Sequence, residues 1–343
     1  MGMAKRRYSR KGNKIEPAAM TLEFPGIQIS AGGGEVKYID LSQVASLVNR
    51  RFYRQGINWA VAGVKILSAD TTGNPSGIVS LRKLPNTWVM SNSWEKSFRA
   101  WTRMNNDALS ETESVRPKFL DYKIYADATH HQAGYLGNLL PDGFTAGEWE
   151  PSKVVHPLGV GATEGATIES ELIAVGASYP GVGASGLNAV SLIEGYAASR
   201  GLPNIEDPNV PTDASDTDNV TPENWMAAMF NDGTEQTANV LADMITENNV
   251  APYPFEGDKA GNLDTMYPNG ANQGPGLQIH DYEFITGTTI GGTTRLKGGN
   301  FPCGLMQFTF ANTAVEGNCS YYIYIAFQTG DGVNLLSTAH PRS

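Results

Sequence analysis

The chain has 343 residues, of which 38 are glycine and only 17% are charged, and its formal net charge at pH 7 is −10. This length can bury a large hydrophobic core without disulfides, and the glycine-rich, charge-poor composition favours many short strands over a helical bundle. No apolar run approaches the ~20 residues of a membrane helix, and the basic start lacks the apolar run of a secretory signal, so we expect no membrane span.

The N-terminus is a basic segment without acids. Because residues 1–14 contain few large apolar groups, they cannot fold alone. We therefore predict that residues 1–20 form a disordered arm whose bases bind nucleic-acid phosphates. A nuclear import signal or a solvated tail is the alternative interpretation. The six bases of the predicted site are Lys5, Arg6, Arg7, Arg10, Lys11 and Lys14.

The first strand signals follow the arm. The apolar, β-branched run from Gly56 to Ala69 predicts a strand, and Asp70 to Gly77 predicts a turn. A second strand is expected from Ile78 to Leu84, and Thr87 to Met90 continues the extended pattern.

A helix is expected next, because Asn92 and Glu95 have the spacing of a capping box. Aromatic residues at helical spacing predict a face packed on the core, and bases on another face predict contact with solvent, with genome contact as the alternative. The core face comprises Trp94, Phe98, Trp101 and Asn105, and the basic face comprises Lys96, Arg99 and Arg103.

The middle of the chain changes character. Phe119 to Ala126 and Ile168 to Ala177 are further strand candidates. Between residues 181 and 256 the patterns predict two helices, Leu187 to Arg200 and Pro222 to Asn248, joined by an acidic, proline-rich loop.

Strand signals return near the C-terminus, at Leu277 to Thr286, Leu305 to Ala311 and Ser320 to Gln328. Strands at both ends thus enclose a helical block. The sequence predicts an all-β fold with a helical insertion: one antiparallel β-sandwich formed by residues 21–180 and 257–343. Residues 181–256 are then an acidic, surface-projecting insertion, since a loop tolerates insertion and a core strand does not.

Charge is strongly polarised along the chain. Residues 1–123 contain 19 bases and 10 acids, whereas residues 154–258 contain 16 acids and one base, Arg200. A protein with this separation can hold a polyanion on one side and face solvent on the other. The net charge of the whole chain therefore does not exclude a nucleic-acid partner.

Three stretches between residues 49 and 104 resemble the capsid proteins of circular single-stranded DNA viruses, most nearly those of the bacilladnavirus-like and environmental Rep-encoding groups. These proteins are similar to the single jelly-roll coats of nodavirus-like and tombusvirus-like RNA viruses. The three stretches read NRRFYRQG at 49–56, WAVAGV at 59–64 and LPNTWVMSNSWEKSFRAW at 84–101.

The resemblance implies a single jelly roll of eight principal strands that self-assembles into an icosahedral shell of 60 or 180 copies. It also implies a virion protein, assembled in the host cell with the nucleus as a candidate compartment. The arms would point inward onto a packaged genome of single-stranded DNA, and the acidic insertion would face a host receptor. The sequence itself contains no nucleophile-elbow pattern and no phosphate loop, so we expect no enzyme activity and no cofactor.

Two other functions stay open. One is a carbohydrate-binding β-sandwich module that uses exposed Trp and Tyr side chains. The other is a nucleotide-dependent enzyme, because Gly181, Gly183 and Gly186 fit the dinucleotide-binding pattern between a strand-like and a helix-like run. Against the enzyme stands the lack of alternating strand and helix units around this glycine loop.

Metal and thiol chemistry are not indicated by the sequence. His130 and His131 are adjacent in a segment interpreted as extended, where their side chains point to opposite faces and make poor joint ligands. Cys303 and Cys319 are the only cysteines, and in so long a chain two thiols are more often reduced core residues than a disulfide. We expect no metal site and no catalytic residues.

Overall fold

The computed structural model describes residues 19–70, 75–110, 121–147, 149–157, 167–199, 225–229, 276–287 and 292–327. The strands are β1 (Thr21–Glu23), β2 (Ile27–Ile29), β3 (Gly34–Asp40), β4 (Asn58–Asp70), β5 (Gly77–Lys83), β6 (Lys153–Pro157), β7 (Thr167–Ile173), β8 (Asn188–Ser191), β9 (Gln278–Ile285), β10 (Thr293–Pro302), β11 (Leu305–Asn312) and β12 (Cys319–Phe327). The helices are α1 (Leu41–Asn49), α2 (Trp88–Leu109), α3 (Ala128–Ala133), α4 (Leu192–Ser199) and α5 (Trp225–Ala228).

Two antiparallel sheets form a β-sandwich. The five-stranded sheet has the order β1-β12-β4-β10, with β2 also paired to β12, and the four-stranded sheet has the order β3-β11-β5-β9. Their inward side chains meet in one hydrophobic core, to which both sheets contribute alternate residues such as Ile66, Ile323, Leu81 and Phe308. This alternation of apolar and polar residues is the pattern that predicted the sandwich, and that prediction is confirmed.

A second layer lies between β5 and β9 in the chain. It contains α2, a three-stranded sheet β6-β7-β8 and α4, and in that sheet β7 pairs antiparallel to β6 but parallel to β8. Its apolar residues form a second core around Trp101, Leu172, Val190 and Trp225, which also includes Tyr38 from β3. The interruption between the described sandwich strands therefore begins at Leu84, rather than at residue 181.

Several predicted strands are confirmed. β4, β5, β9, β11 and β12 coincide with predicted strands to within two residues at each end. β7 covers the first part of the strand expected from Ile168 to Ala177. The strands β1, β2, β3, β6 and β10 were not predicted, because short edge strands and glycine-interrupted strands give weak periodic signals. The short helix α1 was also not predicted.

The start of α2 was predicted wrongly. The helix begins at Trp88, so Thr87 to Met90 is not extended and Asn92 is not the cap. Thr87 is the N-cap, and its hydroxyl accepts a hydrogen bond of 3.3 Å from the backbone N–H of Met90. Both Thr and Asn are good capping residues, so the local pattern did not separate the two positions.

Other boundaries also differ. The helix expected from Leu187 to Arg200 starts as strand β8, and α4 begins only at Leu192. In the stretch expected as a strand from Phe119 to Ala126, Tyr125 makes an isolated parallel bridge to Ile173. Of the helix expected from Pro222 to Asn248, the described part is residues 225–229, which contain α5. Among the described helices, none is long and apolar enough to cross a membrane.

Candidate functional site

The six predicted nucleic-acid-binding bases, Lys5, Arg6, Arg7, Arg10, Lys11 and Lys14, lie outside the described residues, which begin at Ala19. The position where the arm joins the sandwich is described. Ala19 donates its backbone N–H to Asn49 Oδ1 at 2.8 Å, which ties the start of β1 to the end of α1. The arm therefore leaves from an edge of the five-stranded sheet, where β1 pairs with β12.

The described chain also ends at this edge. The backbone N–H of Phe327, the last residue of β12, donates to the carbonyl of Met20 at 2.9 Å. Arg50 and Arg51, both exposed, directly follow Asn49 at the end of α1. Two bases outside the predicted site thus lie beside Ala19, where the described chain begins after the predicted arm. Their position beside the arm could not be predicted from the sequence, because only folding brings residues 19 and 49 together.

The basic face of α2 carries matched acids. Arg99 contacts Glu95 at 2.6 Å and Arg103 contacts Asp107 at 3.7 Å, both with the i,i+4 spacing that pairs side chains on a helix. Lys96 lies over the ring of Tyr196. Because its charge is largely compensated within the helix, this face fits the interpretation as a solvent-facing surface.

The glycine loop does not have the context of a dinucleotide site. It connects β7 to β8, so a strand follows it and the next helix starts only at Leu192. A pyrophosphate site of this type needs a helix N-terminus directly after the glycines. Packing explains the glycine at position 183 instead, because a Cβ added there would lie 2.5 Å from the ring of His131.

The two adjacent histidines lie on α3 rather than in an extended segment, so that interpretation was wrong. His131 Nε2 lies 2.9 Å from Glu171 Oε2, and both side chains are completely buried, although the contact does not have hydrogen-bond geometry. His130 is also fully buried. Since solvent reaches neither ring, the pair offers no accessible base for chemistry on a substrate.

His130 is held as a neutral ring. Its Nδ1 accepts from the backbone N–H of Ala126 at 3.0 Å, so the ring proton sits on Nε2, which lies 2.8 Å from Asn138 Oδ1. Burial, which penalises the charged form, lowers the pKa of His130 to about 3. The neighbouring Tyr38 ring stacks on the imidazole, with ring centroids 4.4 Å apart.

Cys303 and Cys319 are both buried and free. Burial raises the pKa of the Cys303 thiol to about 12, which keeps it protonated near neutral pH. In the described part of the chain, no three His, Cys, Asp or Glu side chains come together as metal ligands.

The described residues beside the predicted arm include two exposed bases, Arg50 and Arg51. Comparison with protein-family models, with curated proteins and with solved structures found no match to this chain.

Proposed function

We propose that this chain is the coat protein of a small non-enveloped virus. It self-assembles into an icosahedral shell and packages single-stranded nucleic acid through its basic N-terminal arm. The resemblance of residues 49–104 points to circular single-stranded DNA viruses. The observation that carries the proposal is the order of the strands in the two sandwich sheets, together with the place where the arm begins.

The strand order supports a jelly roll. If β1 and β2 count as one strand, the described part of the sandwich has eight strands, and they pair first with eighth, second with seventh, third with sixth and fourth with fifth. This is the pairing of one long antiparallel ribbon. The further pairs β12 with β4 and β11 with β5 roll that ribbon into two sheets. Jelly rolls of this kind occur in viral capsids and in lectins.

The arm favours a capsid over a lectin. A carbohydrate-binding module has no use for six bases beside a sandwich, whereas a shell needs positive charge on one side only. On 60 to 180 copies these bases supply about 360 to 1,080 positive charges, so a genome of several thousand nucleotides needs further cations or other basic surfaces. Binding of this kind is independent of sequence and weakens with salt.

The proposal is tested by the size and content of the purified full-length protein. We expect particles that sediment as megadalton shells, appear as closed shells in negative stain and contain nucleic acid. Deletion of residues 1–18 should leave the sandwich folded and reduce the nucleic-acid content several-fold. A protein that stays monomeric at high concentration, or a small oligomer that binds glycans and is indifferent to this deletion, contradicts the proposal.

A further inference from the structure

The outer face of the five-stranded sheet brings two positive side chains together. Arg295 on β10 is the direct cross-strand partner of Lys65 on β4, and both side chains are exposed. Like charges directly opposite one another destabilise an antiparallel pair. The arrangement therefore costs stability unless an anion compensates the two charges.

The same register adds aromatic rings. Tyr324 on β12 is the next partner of Lys65, whose Nζ lies 5.9 Å from the centroid of the tyrosine ring. The hydroxyl of Tyr324 donates to Glu23 Oε1 at 2.8 Å. Glu23, the acidic residue of this cross-strand row, lies on the edge strand β1. Tyr322, 39% exposed, lies two residues along β12 on the same face.

A third base extends the patch. Lys297 lies two residues beyond Arg295, and its side chain is 81% exposed, with Nζ 3.8 Å from Asp281 Oδ1. Its partner on β4 is Gly63, and the next partner on β12 is Ala326. Because Gly63 and Ala326 have small side chains, the sheet surface beside Lys297 is lower than the surface beside Tyr324 and Tyr322. We call the patch formed by Lys65, Arg295, Lys297, Tyr322 and Tyr324 the cationic face.

Several bases elsewhere in the described ranges have an acidic side chain beside them. Lys37 pairs with Glu35, Lys153 lies near Glu169, and the arginines of α2 have acids one turn away. Neither Lys65 nor Arg295 forms an ion pair with any residue in the described ranges.

We propose that the cationic face binds single-stranded nucleic acid, with phosphates on Lys65 and Arg295 and bases against the two tyrosines. Basic side chains next to exposed aromatic rings are the combination that proteins use to hold single strands without sequence preference. The inference rests on the proposed coat function and deepens it, because the outer face of the five-stranded sheet would then line the inside of the shell.

The position of the arm agrees with this assignment. The arm leaves from β1, an edge strand of the same sheet, so it starts beside the surface that it would extend. Lys65 and Arg295 add two positive charges per copy to the six of the arm, while the charge of Lys297 is partly offset by Asp281. The face thereby supplies part of the charge that the arm alone lacks.

The test is Arg295→Glu in the full-length chain. The new glutamate faces Lys65, so the cross-strand pair becomes attractive and the melting temperature should not fall. Affinity for a fluorescent 30-mer of oligothymidylate, measured by anisotropy below the assembly concentration at about 0.1 M salt, should fall about tenfold. The slope of log affinity against log salt should shrink by about 1.4, because two phosphate contacts are lost: the one at Arg295 and the one at Lys65, which the new glutamate neutralises.

Two controls make the result specific. Arg99→Glu on α2 changes the net charge equally at a surface outside the five-stranded sheet and should leave the affinity within about twofold. The exchange Lys65→Arg with Arg295→Lys keeps both charges and should retain binding.

Equal affinity for Arg295→Glu and Arg99→Glu overturns the cationic face, even if wild-type particles form and the coat function stands. A lost affinity accompanied by a lower melting temperature also overturns it, because the loss would then reflect damage to the fold. Absence of particles for the wild-type protein instead contradicts the proposed function.

Discussion

At the scale of single residues, His130 couples the stability of the protein to pH. Its folded-state pKa of about 3 lies below the ordinary value of 6.5, so the unfolded chain binds a proton first as the pH falls. The stability is fully present above pH 6.5 and is lost as the pH falls from there toward 3. From this residue alone, we expect the free energy of unfolding to fall by about 2 kcal/mol between pH 7 and pH 5.

The variant His130→Gln tests this coupling. Glutamine can still accept from Ala126 and donate to Asn138, but it does not titrate. Urea unfolding should therefore show the variant less stable than wild type at pH 7, with the difference shrinking by about 2 kcal/mol at pH 5. A difference that stays constant over this pH range would show that His130 does not contribute to the acid sensitivity.

At the scale of elements, Gly56 sets how closely α2 approaches the loop before β4. Its φ is +99°, and a Cβ there would lie 2.2 Å from Trp94 Cζ2. Gly56→Ala therefore combines backbone strain with a clash against a ring packed on the second core, and we expect a loss of about 3 kcal/mol in urea unfolding.

Gly32→Ala is the matched control for this change. Gly32 has a φ of +66°, but nothing lies within 4 Å of its added Cβ. This variant should lose only the strain, about 1 kcal/mol. Equal losses for the two variants would mean that Trp94 moves aside freely and that packing does not fix the position of α2.

At the scale of the whole molecule, Asp40 links the end of β3 to Trp149, which packs against the cluster containing Ile173 of β7 and Ala189 of β8 in the second layer. Its Oδ1 accepts from the backbone N–H groups of Ser42 and Gln43, at 2.9 and 3.3 Å, as the N-cap of α1. Its Oδ2 accepts from Gln55 Nε2 at 3.0 Å and from Trp149 Nε1 at 3.2 Å. Burial raises the pKa of the Asp40 carboxyl, and the hydrogen bonds from Ser42, Gln55 and Gln43 oppose the rise.

Asp40→Asn should destabilise both layers together. Asparagine still caps the helix, but its NH₂ group must face donors at Gln55 and Trp149, so we expect a loss of about 2 kcal/mol in one cooperative unfolding transition. The exposed Asp142→Asn, with the same change of charge, should have no measurable effect. Two separated transitions in the Asp40 variant would show that the carboxylate holds the layers together but that each layer folds alone.

The parts of the fold that were predicted correctly depend on local pattern. The alternation along β12 and the aromatic stripe of α2 each occupy one short segment, and their period of 2 or 3.6 is set by the backbone of that segment alone. The start of α2 and the strand β8 were missed because several local conformations fit the same residues. For the same reason, the glycines at 181–186 matched a dinucleotide pattern whose decisive feature is the element that follows.

The sequence by itself determined the separation of charge, the six bases of the arm and the strand-rich nature of the chain, because these follow from composition and short-range periodicity. Only the tertiary structure decided which strands pair. Lys65 and Arg295 are far apart in sequence, and they become neighbours because one register between β4 and β10 buries the apolar residues of both strands. A shift of one residue in this register would turn the apolar side chains toward solvent. The burial of those apolar residues therefore creates the cationic face, which neither segment alone determines.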